Sequence, residues 1–216
     1  MNKTRRCCRA MYLLTALLLA CLTSASVDAT TLMRMSVAQL SRAAGAIVRV
    51  RCIANENIWD AGEIWTRTTF EVEDVWSGAP ADRGPLPQRI AVRLLGGTFG
   101  NITSHVSGIP RFHAGEEAVL FLEPTTRGDF SVISWQQGTF RIHRDVQTGD
   151  EAVTQDTASF ATYDPASRRF EQAGIRRMRL ADFRSLVEAA LAAAAAPSAG
   201  GSPGVHSLGG VTPRNP

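Results

Sequence analysis

The sequence predicts a mainly β protein, a small closed barrel or sandwich of six or seven short strands with a helix on either side. Three observations predict it. Alternating apolar and polar runs recur between residues 46 and 154, separated by stretches rich in Gly, Pro and Asn. All four tryptophans (Trp59, Trp65, Trp76 and Trp135) fall inside that region, which places the core there. Helical spacing marks only the segments before and after it.

The first element is a short helix within residues 30–45. Ser36 is its cap, Val37, Leu40 and Ala44 fall at helical spacing, and Gly45 ends it. A half-buried strand follows over 46–54, with Val48, Val50, Cys52 and Ala54 on one face and Ile47, Arg49, Arg51 and Ile53 on the other. Residues 55–62 read as a polar turn. A long β-rich run covers 64–76, and its phase slips at Glu73 and Asp74, which predicts a β-bulge there. Such a bulge helps a long strand curl into a small barrel. Residues 89–95 alternate again, with Ile90, Val92 and Leu94 inward.

A long glycine-rich loop is predicted over 96–114. The apolar stretch 118–122 reads as a central strand. Strands over 130–135 and 139–143 are joined by a tight turn at Gln136-Gln137-Gly138, and a short strand returns over 151–154. One strand pair is placed around Asp164-Pro165. Arginines dominate 168–179, diluted by Glu171, and a solvated face explains them. The last helix covers 180–195, with Phe183, Leu186, Val187 and Leu191 on one stripe. Residues 197–216 are rich in Gly, Ser and Pro without an apolar pattern and read as a disordered tail. The domain reading is therefore 1–29 as a signal peptide, 30–157 as the β-domain with its leading helix, 158–196 as a basic segment and helix packed on it, and 197–216 as the tail.

Residues 1–29 carry an export signal by pattern. Lys3, Arg5, Arg6 and Arg9 precede an apolar run over 11–22, and small residues lead to a cleavage site after Ala29. Leu18-Leu19-Ala20-Cys21 offers a competing lipobox, in which Cys21 is lipidated. The expected location is periplasmic or extracellular, with a lipid anchor as the alternative and no membrane span after cleavage. The net charge of +3 is held entirely by this segment, with its four basic residues and Asp28. The remainder is about neutral, which argues against a nucleic-acid partner. It has no lysine, because Lys3 is the only one. That excludes Schiff-base chemistry, pyridoxal phosphate enzymes and a Walker-type phosphate loop. Cleavage after Ala29 would leave Cys52 as the single cysteine, so no internal disulfide or thiolate cluster is available.

Several groups invite a chemical reading. Cys52 could act as a nucleophile with His105 or His113, but its parity with Val48 and Val50 favours a buried core thiol. His113 with Glu116 and Glu117 matches no zinc spacing. No nucleophile elbow is present around Ser107. Glu71, Glu73 and Asp74 suggest paired carboxylates for hydrolysis. A cross-strand ladder with Arg49 and Arg51 explains them more simply. No cofactor is expected. The long loop is the best binding element, through Gly96, Gly97, Ser107, Gly108, Pro110, Arg111 and His113, with Trp59 adding an aromatic contact.

The order of a helix, then 46–51, then Thr69-Phe70-Glu71-Val72-Glu73-Asp74-Val75-Trp76-Ser77-Gly78, Ile90-Ala91-Val92, 115–122 and 128–132 resembles the netrin-like and metalloproteinase-inhibitor version of the OB barrel. It also resembles a group of uncharacterised exported bacterial proteins. The likeness covers 36–143 and implies an OB-like closed barrel of about six strands. Inhibitors of that family chelate zinc through a free N-terminal cysteine in a Cys-x-Cys start. Cleavage after Ala29 leaves no such start here, so the likeness implies the fold rather than that chemistry. The expected function is an exported non-enzymatic binding or accessory module that acts on another protein or an envelope component. The alternatives are an envelope hydrolase using Glu71, Glu73 or His113, and a lipid-anchored structural component.

Overall fold

The computed structural model describes residues 33–78, 84–159, 161–172 and 174–196. The expected signal segment, Cys21 and the tail over 197–216 lie outside the described residues.

Helix α1 (Val37–Ala43) begins with a reciprocal capping box, in which the Ser36 hydroxyl accepts from the Gln39 amide and the Gln39 side chain accepts from the Ser36 amide. Two donors that a helix start leaves unpaired are thereby satisfied. Strands β1 (Ala46–Asp60) and β2 (Glu63–Ser77) form one long hairpin. Then come β3 (Arg89–Leu95), a small hairpin of β4 (Gly97–Phe99) and β5 (Ile102–Ser104), and β6 (Glu117–Pro124). β7 (Phe130–Val132), β8 (Thr139–Arg144) and β9 (Glu151–Gln155) follow. A separate pair, β10 (Ala161–Asp164) and β11 (Arg169–Gln172), precedes β12 (Met178–Arg179) and helix α2 (Leu180–Ala195).

The described residues are mainly β, with one helix before the strands and one after. The main sheet has eight strands, in the order β1-β2-β3-β7-β6-β8-β9-β12, where about six were expected. β1 also pairs with β6, and β3 runs parallel to β7.

The strand pattern makes two apolar layers. On the inner face Val48, Val50 and Cys52 of β1 pack with Phe70, Val92, Leu120 and Leu122. On the outer face Ile47, Val119, Phe121 and Phe140 meet Leu40 of α1 and Phe183 and Val187 of α2. Phe183 lies 4.5 Å from Phe140 and 5.9 Å from Trp76 between ring centroids. Burying a large apolar side chain of this kind contributes about 1.5–3 kcal/mol. Leu186 was expected on the buried stripe of α2 but is exposed, because the stripe narrows to Phe183 and Val187 with Leu191 at its margin.

Buried Gln137 ties the start of the described chain to the sheet. Its side-chain oxygen accepts from the Met35 amide, and its side-chain nitrogen donates to the Met33 carbonyl, both at 2.7 Å. The segment around it is a 3-10 turn (Trp135–Gly138), so the strand expected to reach residue 135 stops at Val132.

Two other expectations need correction. Residues 55–60 are strand rather than polar turn, and only Ala61 and Gly62 turn the chain. The loop expected over 96–114 contains the β4–β5 hairpin. Asn55 and Asn57 of the first segment and Thr98 and Thr103 of the second line a concave cleft rather than a dry core.

Candidate binding cleft

A bulge at Ile53 creates the site. Cys52 pairs with Phe70 and Ala54 with Thr69, so Ile53 has no partner and the strand's parity reverses beyond it. Before the bulge the even-numbered residues of β1 face the core. Beyond it Asn55, Asn57 and Trp59 take that side, opposite Thr68, Thr66 and Ile64. One inserted residue thus turns a row of polar side chains inward.

These side chains satisfy one another. The Thr68 hydroxyl donates to Asn55 Oδ1 at 2.7 Å, and Asn55 Nδ2 donates to the Phe112 carbonyl at 2.7 Å. The Thr66 hydroxyl donates to the Gly96 carbonyl at 2.7 Å and lies 3.0 Å from Asn57 Oδ1. The bond to Phe112 links β1 to the segment between β5 and β6, and the bond to Gly96 links β2 to the base of the β4–β5 hairpin. Gly97 makes the second junction possible. Its φ is +145°, and a Cβ there would sit 2.4 Å from Asn57 Oδ1 and 2.7 Å from Thr66 Oγ1. Only glycine fits that approach.

The resulting cleft has a volume of about 390 Å³, within the range of small-ligand sites. Leu94, Ile109 and Phe112 supply apolar surface. The ribbon supplies amides and hydroxyls, and Thr98 and Thr103 add hydroxyls from the small hairpin. Arg111, His105 and His113 stand at the opening. None of the lining residues is acidic. Phe112 is anchored below by an edge-on contact with Phe70, at 5.0 Å between centroids, and the Arg141 guanidinium stacks on it at 4.8 Å.

Of the residues chosen from sequence, Gly97, Pro110, Arg111 and His113 line the cleft. Gly96 does not line it but bonds to Thr66 beside it. Trp59 stands outside, 49% exposed, against Phe99 at 6.2 Å. Gly108 lies near Trp135 instead, and Ser107 is exposed and does not line the cleft. Sequence reasoning missed Asn55, Asn57, Thr66 and Thr68. Their signal was the alternation of small polar residues on two adjacent segments: Thr66 and Thr68 fall in the expected β-rich run, but Asn55 and Asn57 read as a turn unless the Ile53 bulge is seen.

The groups considered for catalysis are engaged separately. Arg49 bonds three carboxylates on the outer face, Glu73 at 2.9 Å, Glu117 at 2.7 Å and Glu151 at 2.8 Å. Arg51 adds Glu73 at 2.6 Å, so of the expected cross-strand ladder only Glu73 pairs with Arg49 and Arg51, and Asp74 instead bonds Arg184 of α2 at 2.7 Å. Glu71 has no ion-pair partner among the described residues and stands opposite Arg51 in register. Hydrogen bonds from Arg49 and Arg144 hold the Glu151 carboxyl down at about 2. His113 is 84% exposed and bonds Glu116 at 2.9 Å. Burial opposes ionisation of Glu116, but bonds from His113 and the charge of Arg141 keep its carboxyl below the usual range. Cys52 is buried in the inner layer, and desolvation pushes its thiol up. Among the described residues no group of three His, Cys, Asp or Glu side chains is placed to hold a metal ion. No helix among them is long and apolar enough to cross a membrane.

Neither a protein-family model nor a curated protein matches the chain.

Proposed function

We propose that the chain is an exported, non-enzymatic binding module built on an OB-type barrel, with the cleft as its ligand site. The barrel reading is supported by the pairing order. β1, β2, β3, β7 and β6 pair in succession, β6 returns to β1, and β3 and β7 are parallel. Barrels of this type bind through one sheet face and adjoining loops. The export reading rests on the pattern of residues 1–29.

The composition of the cleft carries the functional reading. It combines an apolar floor, neutral hydrogen-bonding walls and a basic opening, and no acidic group lines it. Hydrolytic chemistry by Glu71, Glu73 or His113 would need these groups to converge on one reacting atom. Glu73 is instead bonded to Arg49 and Arg51, and His113 to Glu116.

The test is thermal denaturation of the full chain against a panel of peptides and oligosaccharides, run beside assays for peptide, ester and glycoside hydrolysis. The expected outcome is a ligand-dependent rise in Tm that Asn57→Ala abolishes, without turnover. Turnover that disappears in His113→Ala would overturn the reading. Intact mass and N-terminal sequencing of protein from its native host test the export component. A free terminus near Thr30 is expected, and an acylated Cys21 would make the protein lipid-anchored.

A further inference from the structure

The edge of β1 beside the cleft is open. Along 46–51 β1 pairs with β2 on one side and β6 on the other. Two last bonds extend the β6 side, from the Cys52 amide to the Glu116 carbonyl and from the Gly115 amide to the Cys52 carbonyl, each 2.8 Å. Main-chain pairing then ends at the His113–Glu116 turn, and the Phe112 carbonyl beyond it bonds β1 through the Asn55 side chain. Over residues 54–60 β1 keeps its ladder with β2 alone, so its other edge lacks a strand among the described residues. An open edge presents a row of main-chain donors and acceptors to an extended chain. Residues 54–60 include no proline, and their two carboxylates, Glu56 and Asp60, alternate with the cleft-facing Asn55, Asn57 and Trp59 and so lie on the face away from the cleft, with Asp60 neutralised by Arg93 and Arg127.

Two further observations say what would fill it. The first is charge. Arg111 stands at the cleft opening, and among the described residues no carboxylate pairs with it. Its one side-chain bond among the described residues is a 3.3 Å contact from Nη2 to the Ser104 carbonyl. A planar guanidinium with free donors suits a carboxylate. The second is apolar surface. Trp59, Phe99 and Ile102 are each about half exposed, Trp59 touches Phe99, and Phe99 is the register partner of Ile102.

We propose that the open edge of β1 and the adjoining cleft seat an extended acidic polypeptide segment, added to β1 as a strand, with one carboxylate on Arg111 and an apolar side chain on Trp59 and Phe99. Main-chain bonds supply affinity in this mode and alternate side chains supply selectivity. The inference rests on the binding-module reading and names its partner class.

The experiment selects random linear peptides, displayed on phage, against the full chain, and measures the recovered peptides in solution. The expected peptides alternate apolar residues with at least one Asp or Glu. Arg111→Ala is expected to weaken them about tenfold or more and Arg111→Lys less. Amide N-methylation at alternate positions should abolish binding in one register and spare it in the other, a pattern that side-chain recognition alone would not give. Peptides that bind the cleft without acidic preference or sensitivity to N-methylation would overturn strand addition and leave the binding reading intact. Strand addition is equally overturned if no peptide is recovered but a neutral oligosaccharide shifts the cleft amides. If neither class binds, both proposals fail.

Discussion

The two halves of the β1–β2 hairpin are built from the same two strands and do different work. The half nearer the helices, 46–52 with 70–77, is sealed on its inner face. Val48, Val50, Cys52 and Phe70 are buried on one side, and the other carries the Arg49 network beside the helix-covered layer. The far half, 54–60 with 63–69, has polar side chains on its inner face and one edge unpaired among the described residues. The difference starts at one residue, Ile53. Its bulge ends the apolar register that a core needs and starts a polar register that a cleft needs. Stability and recognition are thus separated along a single ribbon.

The largest expected effect breaks the sealed half. Phe70→Ala should cost about 3–5 kcal/mol in urea denaturation, as deletions of buried aromatics do. It should also loosen the cleft, because Phe112 rests edge-on against Phe70. A loss below about 1 kcal/mol would mean that the inner layer does not carry the fold.

Gly97→Ala addresses the far half. The added Cβ meets Asn57 and Thr66 at separations no real contact shows, so a cost of about 1–3 kcal/mol is expected together with loss of cleft binding. Gly100→Asn is the control. It also has positive φ, but nothing lies within 4 Å of a Cβ there, and Asn tolerates that backbone. Its effect on stability and binding should be small.

The third prediction concerns the ion network. Glu151 has its folded-state pKa depressed from 4.5 to about 2 by Arg49 and Arg144. Its contribution is therefore present above pH 4.5 and lost as pH falls toward 2. Partial exposure screens it to roughly 1 kcal/mol. Arg49→Met should reduce this part of the acid dependence, with Arg144 retaining the remainder, read from urea midpoints between those pH values, and leave cleft binding unchanged. An unaltered acid slope would contradict the role given to Arg49.

The smallest expected effect on stability is at the mouth. Trp59→Ser should cost no more than about 1 kcal/mol, because half the side chain is already exposed and its ring partner Phe99 is half exposed too. Peptide affinity should nevertheless fall. A large stability loss with unchanged affinity would make Trp59 a packing residue.

The sealed half and the β2 side of the far half are legible in the sequence, and the β1 side of the far half is not. Alternation at Val48, Val50 and Cys52 marks a core face, the phase slip marks the Glu73 bulge, and opposed charges mark the Arg49 and Arg51 ladder. These follow from local periodicity and charge. The Asn55 and Asn57 wall reads as a turn because polar residues in alternation look solvated, and their inward direction depends on the bulge at Ile53. The β4–β5 hairpin is hidden for a similar reason. Its strands are three residues each, too short for a periodic signal. Gln137 gives no sign of its role, since its bonds to residues 33 and 35 span about a hundred positions.

Amide hydrogen exchange on the full chain, with and without a selected peptide, tests the division of the ribbon most directly. In the free protein, amides in 46–52 should be strongly protected and those on the open edge of 54–60 should exchange fast. Peptide should slow exchange at 54–60 and along 97–113 and leave the Arg49 face unchanged. Equal protection of both halves in the free protein, or slowing confined to the face around Arg49, Arg144 and Glu151, would contradict it.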